Sequence, residues 1–423
     1  MSRPTHQAPE RELGESLWSM AATLPLLDRT AGDVLRDAAA AEPERIALVE
    51  VGPADDTLID GVVAGERTWT YAALLAEAEQ AAQWLLGQFE RGERIAVWAP
   101  NLPEWVVLQY ATALAGMVLV PVNPALRAAE LAYVLDQSGA VGVVFLDSFR
   151  GTDMAATVQE VLPRLPGVRV AFSFRDWHRV VRGYEGTARA LPDVRPDDPA
   201  QIQYTSGTTG FPKGAVLHHR GLVANADLVH RRAEFPMHGT WLTALPLFHT
   251  AGCAMSVLGT AASQGTLVLG RFFEPGLLLA AAEKWRANLI GGVPAMVGAM
   301  LAHPALPDTD LSALEVVASG GDTVPAEMVR AAEERMGARF STVYGQTEAS
   351  PIITQTSPFD SDEAKAETAG RPLDHVDVRI VDPMTGRTQP CGEPGEVCAR
   401  GYQVMTGYLD LPEATADTID PDG

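Results

Sequence analysis

The sequence predicts an α/β protein with two α/β lobes of helix-covered, largely parallel sheets and a smaller β-rich, barrel-like lobe at the end. Three observations carry this. Short apolar runs alternate with segments of helical period from about residue 31 onward. Strands separated by helices pair in parallel and are covered on both faces. From about Ala369 the texture changes to short strands and glycine turns with no long helix. A chain of 423 residues also exceeds one ordinary domain, so several lobes are expected.

Residues 1–30 are polar and mixed and read as an arm. The first lobe, 31–195, opens with T-A-G-D-V-L-R-D-A-A-A-A-E-P, a cap followed by apolar residues at helical spacing. The strand R-I-A-L-V-E follows. Next come an alanine-rich helix around 72–86, the strand R-I-A-V-W-A-P, a helix around 105–115 and the strand M-V-L-V-P-V-N-P. A Pro/Asp-rich stretch around 191–200 reads as a linker. The second lobe, 196–368, contains T-W-L-T-A-L-P-L-F, a helix after Thr250, T-L-V-L-G, a helix over 275–284 and N-L-I-G-G-V-P. The third, 369–423, carries V-D-V-R-I-V-D-P-M-T-G-R and G-E-V-C-A-R-G-Y-Q-V-M-T-G-Y as strands.

A formal charge of −22 argues against nucleic-acid or anionic-membrane binding, because both rely on surplus Lys and Arg. The opening M-S-R-P-T-H-Q-A-P-E has no apolar signal core, and no later apolar run is long enough to span a bilayer, so a cytoplasmic location is expected. Cys253, Cys391 and Cys398 form neither an even disulfide set nor a C-x-x-C pair and read as reduced and structural. The adjacent His218 and His219 lack metal spacing and read as a solvated strand end.

The most informative stretch is Y-T-S-G-T-T-G-F-P-K-G-A, Tyr204 to Ala215. A Walker loop needs glycine before its lysine and a helix after it. Here Pro212 precedes Lys213 and a strand-like G-A-V-L-H-H follows. The stretch therefore reads as a glycine hairpin between strands, whose amides and hydroxyls close over phosphate oxygens. Thr205, Ser206, Gly207, Thr208, Thr209, Gly210 and Lys213 are its phosphate-binding candidates. Charge-assisted hydrogen bonds of roughly 1.5–3 kcal/mol each would hold a triphosphate.

This stretch resembles the phosphate loop of the adenylate-forming superfamily of acyl-CoA synthetases, luciferases and peptide-synthetase adenylation domains. Further motifs stand in the family's order: P-L-F-H-T-A-G at Pro246–Gly252, A-S-G-G at Ala318–Gly321, Y-G-Q-T-E at Tyr344–Glu348 and the G-E-V-C-A-R-G-Y-Q-V-M-T-G-Y run. The resemblance implies that a carboxylate attacks the α-phosphorus of ATP, giving acyl-AMP and pyrophosphate. An ionised carboxylate needs no general base, which suits the absence of a G-x-S-x-G elbow. By the same resemblance Glu348 holds Mg²⁺, Thr347 bonds the α-phosphate, and Tyr344 stacks on adenine beside Gly345 and Gln346. Gly320 and Gly321 let the backbone approach the ring, Lys213 acts on phosphate, and His249 gates the carboxylate and thiol path. Asp322 either reaches the adenine side or caps the helix that begins in T-V-P-A-E-M-V-R, the reading Asp-x-x-Pro favours.

The acyl pocket is expected from His249, Thr250, Ala251, Cys253, Gly292, Ala318, Ser319, Gly320, Ser350, Pro351 and Ile352. These are small or apolar, with no buried charge for an amino group, which favours a fatty or aromatic acid with CoA as acceptor. A carrier-protein acceptor stays open. Two other readings stand beside it: a diazotase that activates nitrite for an aryl amine, and a non-catalytic nucleotide- or acyl-binding module. The family's Trp, its Thr-Gly-Asp and its C-terminal lid domain with a catalytic lysine do not follow T-I-D-P-D-G here. The expectation is a truncated chain, impaired in adenylation.

Overall fold

The computed structural model describes residues 13–19, 23–52, 66–205 and 212–423. Local chemistry sets its first helix. Thr30 accepts from the Asp33 amide while the Asp33 carboxylate accepts from the Thr30 amide, and Ala31–Ala41 follows this reciprocal cap. The alanine-rich helix Tyr71–Gln88 starts on Thr70 in the same way, with one hydroxyl accepting from the Ala73 amide.

The strands assemble into two large sheets. The seven-stranded sheet runs Gly407–Tyr408, Lys213–His218, Pro199–Thr205, Val118–Val122, Arg94–Trp98, Gly142–Phe145, Val170–Ser173. The nine-stranded sheet runs Arg371–Pro372, Ile352–Gln355, Arg339–Gly345, Val316–Gly320, Leu289–Gly292, Thr240–Thr243, Thr266–Gly270, Ile46–Val51, Arg67–Thr70. The inner pairs of both are parallel, from Pro199–Thr205 to Val170–Ser173 in the first and from Arg339–Gly345 to Ile46–Val51 in the second. Antiparallel strands close the ends where hairpins suffice. The inner strands read as continuous buried runs, such as Val118–Val122 and Thr266–Gly270, as a sheet covered on both faces requires.

Strand membership departs from the lobe boundaries expected at 195 and 368. Ile46–Val51 and Arg67–Thr70 join the later sheet, whereas Pro199–Thr205 and Lys213–His218 join the earlier one. Parallel pairing selects strands by the face they bury, so a chain can cross between sheets without a compositional signal. The expected β-rich lobe is a three-stranded antiparallel sheet in which Val376–Val381 pairs with both Glu396–Gly401 and Leu17–Trp18. Part of the supposed arm is therefore a strand. No closed barrel is present among the described residues.

His219 is not solvated either. It is buried and accepts from the Ala31 amide at 3.4 Å, and burial pushes its pKa down to about 4. His218 caps the helix His219–Arg232 by accepting from the Gly221 amide at 2.9 Å.

A buried charge network ties the sheets together. Glu50 is fully buried and accepts from Arg271 at 2.7 Å and from Arg67 at 2.5 Å. Arg67 also reaches Glu104, at the start of Pro103–Ala115, at 2.6 and 3.1 Å. Glu50 and Arg67 belong to the nine-stranded sheet, while the helix bearing Glu104 follows Arg94–Trp98 of the other. Removing one partner of a buried pair leaves an uncompensated charge. Glu50→Gln should lower the unfolding free energy by about 3–5 kcal/mol, read from urea denaturation followed by tryptophan fluorescence.

Candidate active site

The inner strands of the nine-stranded sheet end together, and their carboxyl ends form one wall of a cavity of about 710 Å³. Leu245 and Pro246 follow Thr240–Thr243, Gly291 and Gly292 end the next strand, Ala318 to Gly321 the one beyond, and Val343, Gly345, Gln346, Thr347 and Glu348 close the series. The opposite wall is the hairpin of the other sheet, contributing Tyr204, Thr205 and Lys213. The cavity lies between the sheets. Ser206, Gly207, Thr208, Thr209 and Gly210, expected at the hairpin tip, lie outside the described residues.

The roots of that hairpin are held from one helix. Tyr133 of Ala128–Gln137 donates to the Pro212 carbonyl at 3.1 Å, the Tyr204 hydroxyl bonds Gln137 Oε1, and Gln137 Nε2 donates to the Leu409 carbonyl at 2.9 Å. On the facing side the Gln346 amide donates to the Pro351 carbonyl, and the Ser350 amide to the Thr347 carbonyl. This tight turn carries Thr347 and Glu348. Tyr408 completes the corner: its hydroxyl donates to Glu348 Oε1 at 2.5 Å, and Lys213 Nζ sits 4.8 Å from its ring centroid. Burial, and after it the bond to Glu348, pushes the Tyr408 phenol up to about 12, so it stays a donor at neutral pH.

The rest of the cavity is mostly apolar, with Ala251, Met255, Val293, Pro351 and Ile352. Ala251 and Met255 belong to a wide helical segment, Ala251–Leu258, of π type. Side chains satisfy carbonyls there: Gln109 donates to Cys253 at 2.9 Å, Tyr110 to Val257 at 3.4 Å, and His230 Nε2 meets Met255 at 2.9 Å. His249 borders the cavity, exposed to it, and surrounding protein still lowers its pKa by partial desolvation. That direction favours the neutral imidazole.

Several expected residues stand elsewhere. Cys253 is fully buried outside the wall, donating to Gln201 Oε1 at 3.4 Å, and burial pushes its thiol up to about 12. Ser350 is buried too, donating to the Gln403 carbonyl at 2.8 Å. Asp322 does not line the cavity; it accepts from the Thr323 amide at 2.7 Å, while Pro325 stands at the N-cap of Ala326–Met336. Tyr344 is 41% exposed and borders a second, apolar hollow of about 540 Å³ with Trp18, Pro372 and Val397. Strand alternation accounts for it, since its neighbours Val343 and Gly345 face the main cavity. Gly320 answers first to its neighbouring strand: a Cβ there would lie 2.1 Å from the Val343 carbonyl oxygen.

Residues 35–409 match the family model described as AMP-binding enzyme. The chain belongs to that family. AMP-binding enzymes of this kind are ligases that activate acids as acyl-AMP. The chain is 31% identical over 430 residues to the mitochondrial medium-chain acyl-CoA ligase ACSF2 of Rattus norvegicus, covering 94% of this chain and 68% of that protein. It superimposes with a TM-score of 0.82 on the inhibitor-bound N-terminal domain of FACL13 from Mycobacterium tuberculosis, at 27% identity over 93% of this chain and 94% of that one. A fatty acyl CoA synthetase from Mycobacterium tuberculosis gives 0.82 at 26% identity, covering 93% of this chain and 74% of its own. The two helix-covered sheets are thus the AMP-binding fold of acyl-CoA ligases.

Sequence reasoning gave no role to Tyr408, Tyr204, Gln137 or Met255. The G-Y of the last motif marked Tyr408, but its partners lie 60 residues away at Glu348 and across the cavity at Lys213. The fit of the turn can be tested at Gly345, where a Cβ would lie 1.9 Å from the Pro351 carbonyl oxygen. Gly345→Ala must displace the Thr347–Glu348 turn, costing about 1–3 kcal/mol of stability. It should also weaken ATP binding by about tenfold or more, as read by titration calorimetry beside a thermal melt.

Proposed function

We propose that this cavity binds ATP and a fatty acid of medium chain length and joins them as acyl-AMP. The observation that supports this most is the single cavity in which Lys213, Thr347 and Glu348 face an apolar wall of Ala251, Met255, Val293 and Ile352. The polar corner suits phosphate and the apolar wall suits a carbon chain, which nitrite does not have. The medium chain length follows the name of the rat relative.

In this reading a carboxylate oxygen attacks the α-phosphorus, the bond to the bridging oxygen breaks, and pyrophosphate leaves with that electron pair. No proton has to move. Lys213 would offset the charge that builds on the departing phosphates, and Thr347 would position the α-phosphate. The donor set suits Mg²⁺, a hard cation that takes one carboxylate, here Glu348, together with phosphate oxygens. Its Oε2 has no hydrogen bond among the described residues. Mg²⁺ neutralises phosphate charge when bound. His249 borders the cavity that would receive the acid. CoA is the acceptor we assign to the second step. No helix among the described residues is long and apolar enough to cross a membrane, and we place the reaction in the cytoplasm.

Octanoate should drive exchange of labelled pyrophosphate into ATP, with AMP and not ADP as the nucleotide product. Lys213→Ala should slow it by about 10²-fold. ADP formation, or exchange indifferent to added acid, contradicts the reading.

A further inference from the structure

We infer that Tyr408 is a positioning residue with two separable tasks: its hydroxyl fixes the Glu348 carboxylate for the metal, and its ring holds the Lys213 ammonium toward phosphate. The inference rests on the proposed roles of Glu348 and Lys213 and adds a residue to which neither reading gave work.

The geometry is specific. Glu348 lies in the short turn Thr347–Ala349 on the nine-stranded sheet, whereas Lys213 begins a strand of the seven-stranded sheet. The two charged groups approach the cavity from different sheets, and no direct ion pair between them is formed. Tyr408 stands between them, bonded to Glu348 Oε1 at 2.5 Å on one side and stacked under Lys213 Nζ at 4.8 Å on the other. All three border the same cavity.

Tyr408 is itself held firmly. It pairs with Ala215 across Gly407–Tyr408 and Lys213–His218, and its amide donates to Thr415 Oγ1 at 2.9 Å. Three residues earlier the Met405 amide donates to the Glu348 carbonyl at 2.8 Å, so both the backbone and the side chain of Glu348 are fixed from this one segment. The Tyr408 hydroxyl donates to one carboxylate oxygen of Glu348, which engages that oxygen and leaves the other for a cation. The ammonium over the ring is attracted to the π face without being neutralised, which leaves its donors for phosphate oxygens. A direct Lys213–Glu348 salt bridge would have consumed both charges, and the intervening ring prevents it.

The test is calorimetric titration of this chain with ATP, with and without Mg²⁺, beside thermal melts. Wild type should bind MgATP more tightly than free ATP, and Glu348→Gln should remove that increment. Tyr408→Phe keeps the ring and should reduce the increment by about five- to tenfold. Tyr408→Leu should weaken Mg²⁺-free binding as well. In the double variant Glu348→Gln/Tyr408→Phe the second change should add nothing, an outcome general loosening of the fold does not produce. A Tyr408→Phe increment equal to wild type overturns the inference while the role of Glu348 stands. Absence of any Mg²⁺ increment in wild type overturns the assignment of Glu348 and the inference with it.

Discussion

The cavity depends on one constraint: the segment 403–409 is bonded to both sheets at once. The Thr406 and Leu409 amides donate to Val216 and Gly214 of the seven-stranded sheet, at 2.9 and 2.8 Å. Met405 bonds Glu348, and the Gln403 carbonyl accepts from Ser350, both on the nine-stranded side. Two sheets that pack through helices can slide by small amounts without losing much buried area. Directional bonds from one short strap fix their offset, and the distance from Lys213 to Glu348 follows from it. Glu50, Arg271, Arg67 and Glu104 repeat the device at another point of the interface, with charges in place of amides.

That constraint explains why the chemistry is divided as it is. Lys213 comes from a hairpin root anchored by Tyr133 and Gln137, and Thr347 and Glu348 come from a turn closed by the Gln346–Pro351 bond. Neither half is a site alone. Brought together they surround a cavity whose remaining wall is apolar, because the wide segment Ala251–Leu258 presents Ala251 and Met255 to it while His230, Gln109 and Tyr110 satisfy its carbonyls from behind.

Much of this was legible in the sequence because it depends on neighbours along the chain. The Thr30–Asp33 cap, the hairpin around Pro212 and Lys213, and buried strands such as Val118–Val122 follow from local pattern. The sheet that each strand joins did not follow, since Ile46–Val51 and Thr266–Gly270 meet across more than two hundred residues. His219 read as a solvated strand end because its partner amide belongs to Ala31 in another part of the chain. In the site, motifs identified Lys213, Thr347 and Glu348 as a group. The face each side chain takes, of a strand for Tyr344, of a π-type helical segment for Cys253 and of a turn for Ser350, separated them from the cavity wall, and a motif carries no record of that. Tyr408 was within a quoted motif, yet only contact across the two sheets reveals what it does.

The central claim is that one cavity holds nucleotide and acyl chain together. Calorimetry with a non-hydrolysable sulfamoyl mimic of octanoyl-AMP tests it most directly. The account predicts one site per chain and binding at least about 10²-fold tighter than either AMP or octanoate alone, because the joined halves bind as one molecule. Binding no tighter than that of AMP would show that the apolar wall does not receive the acid, and would contradict the account.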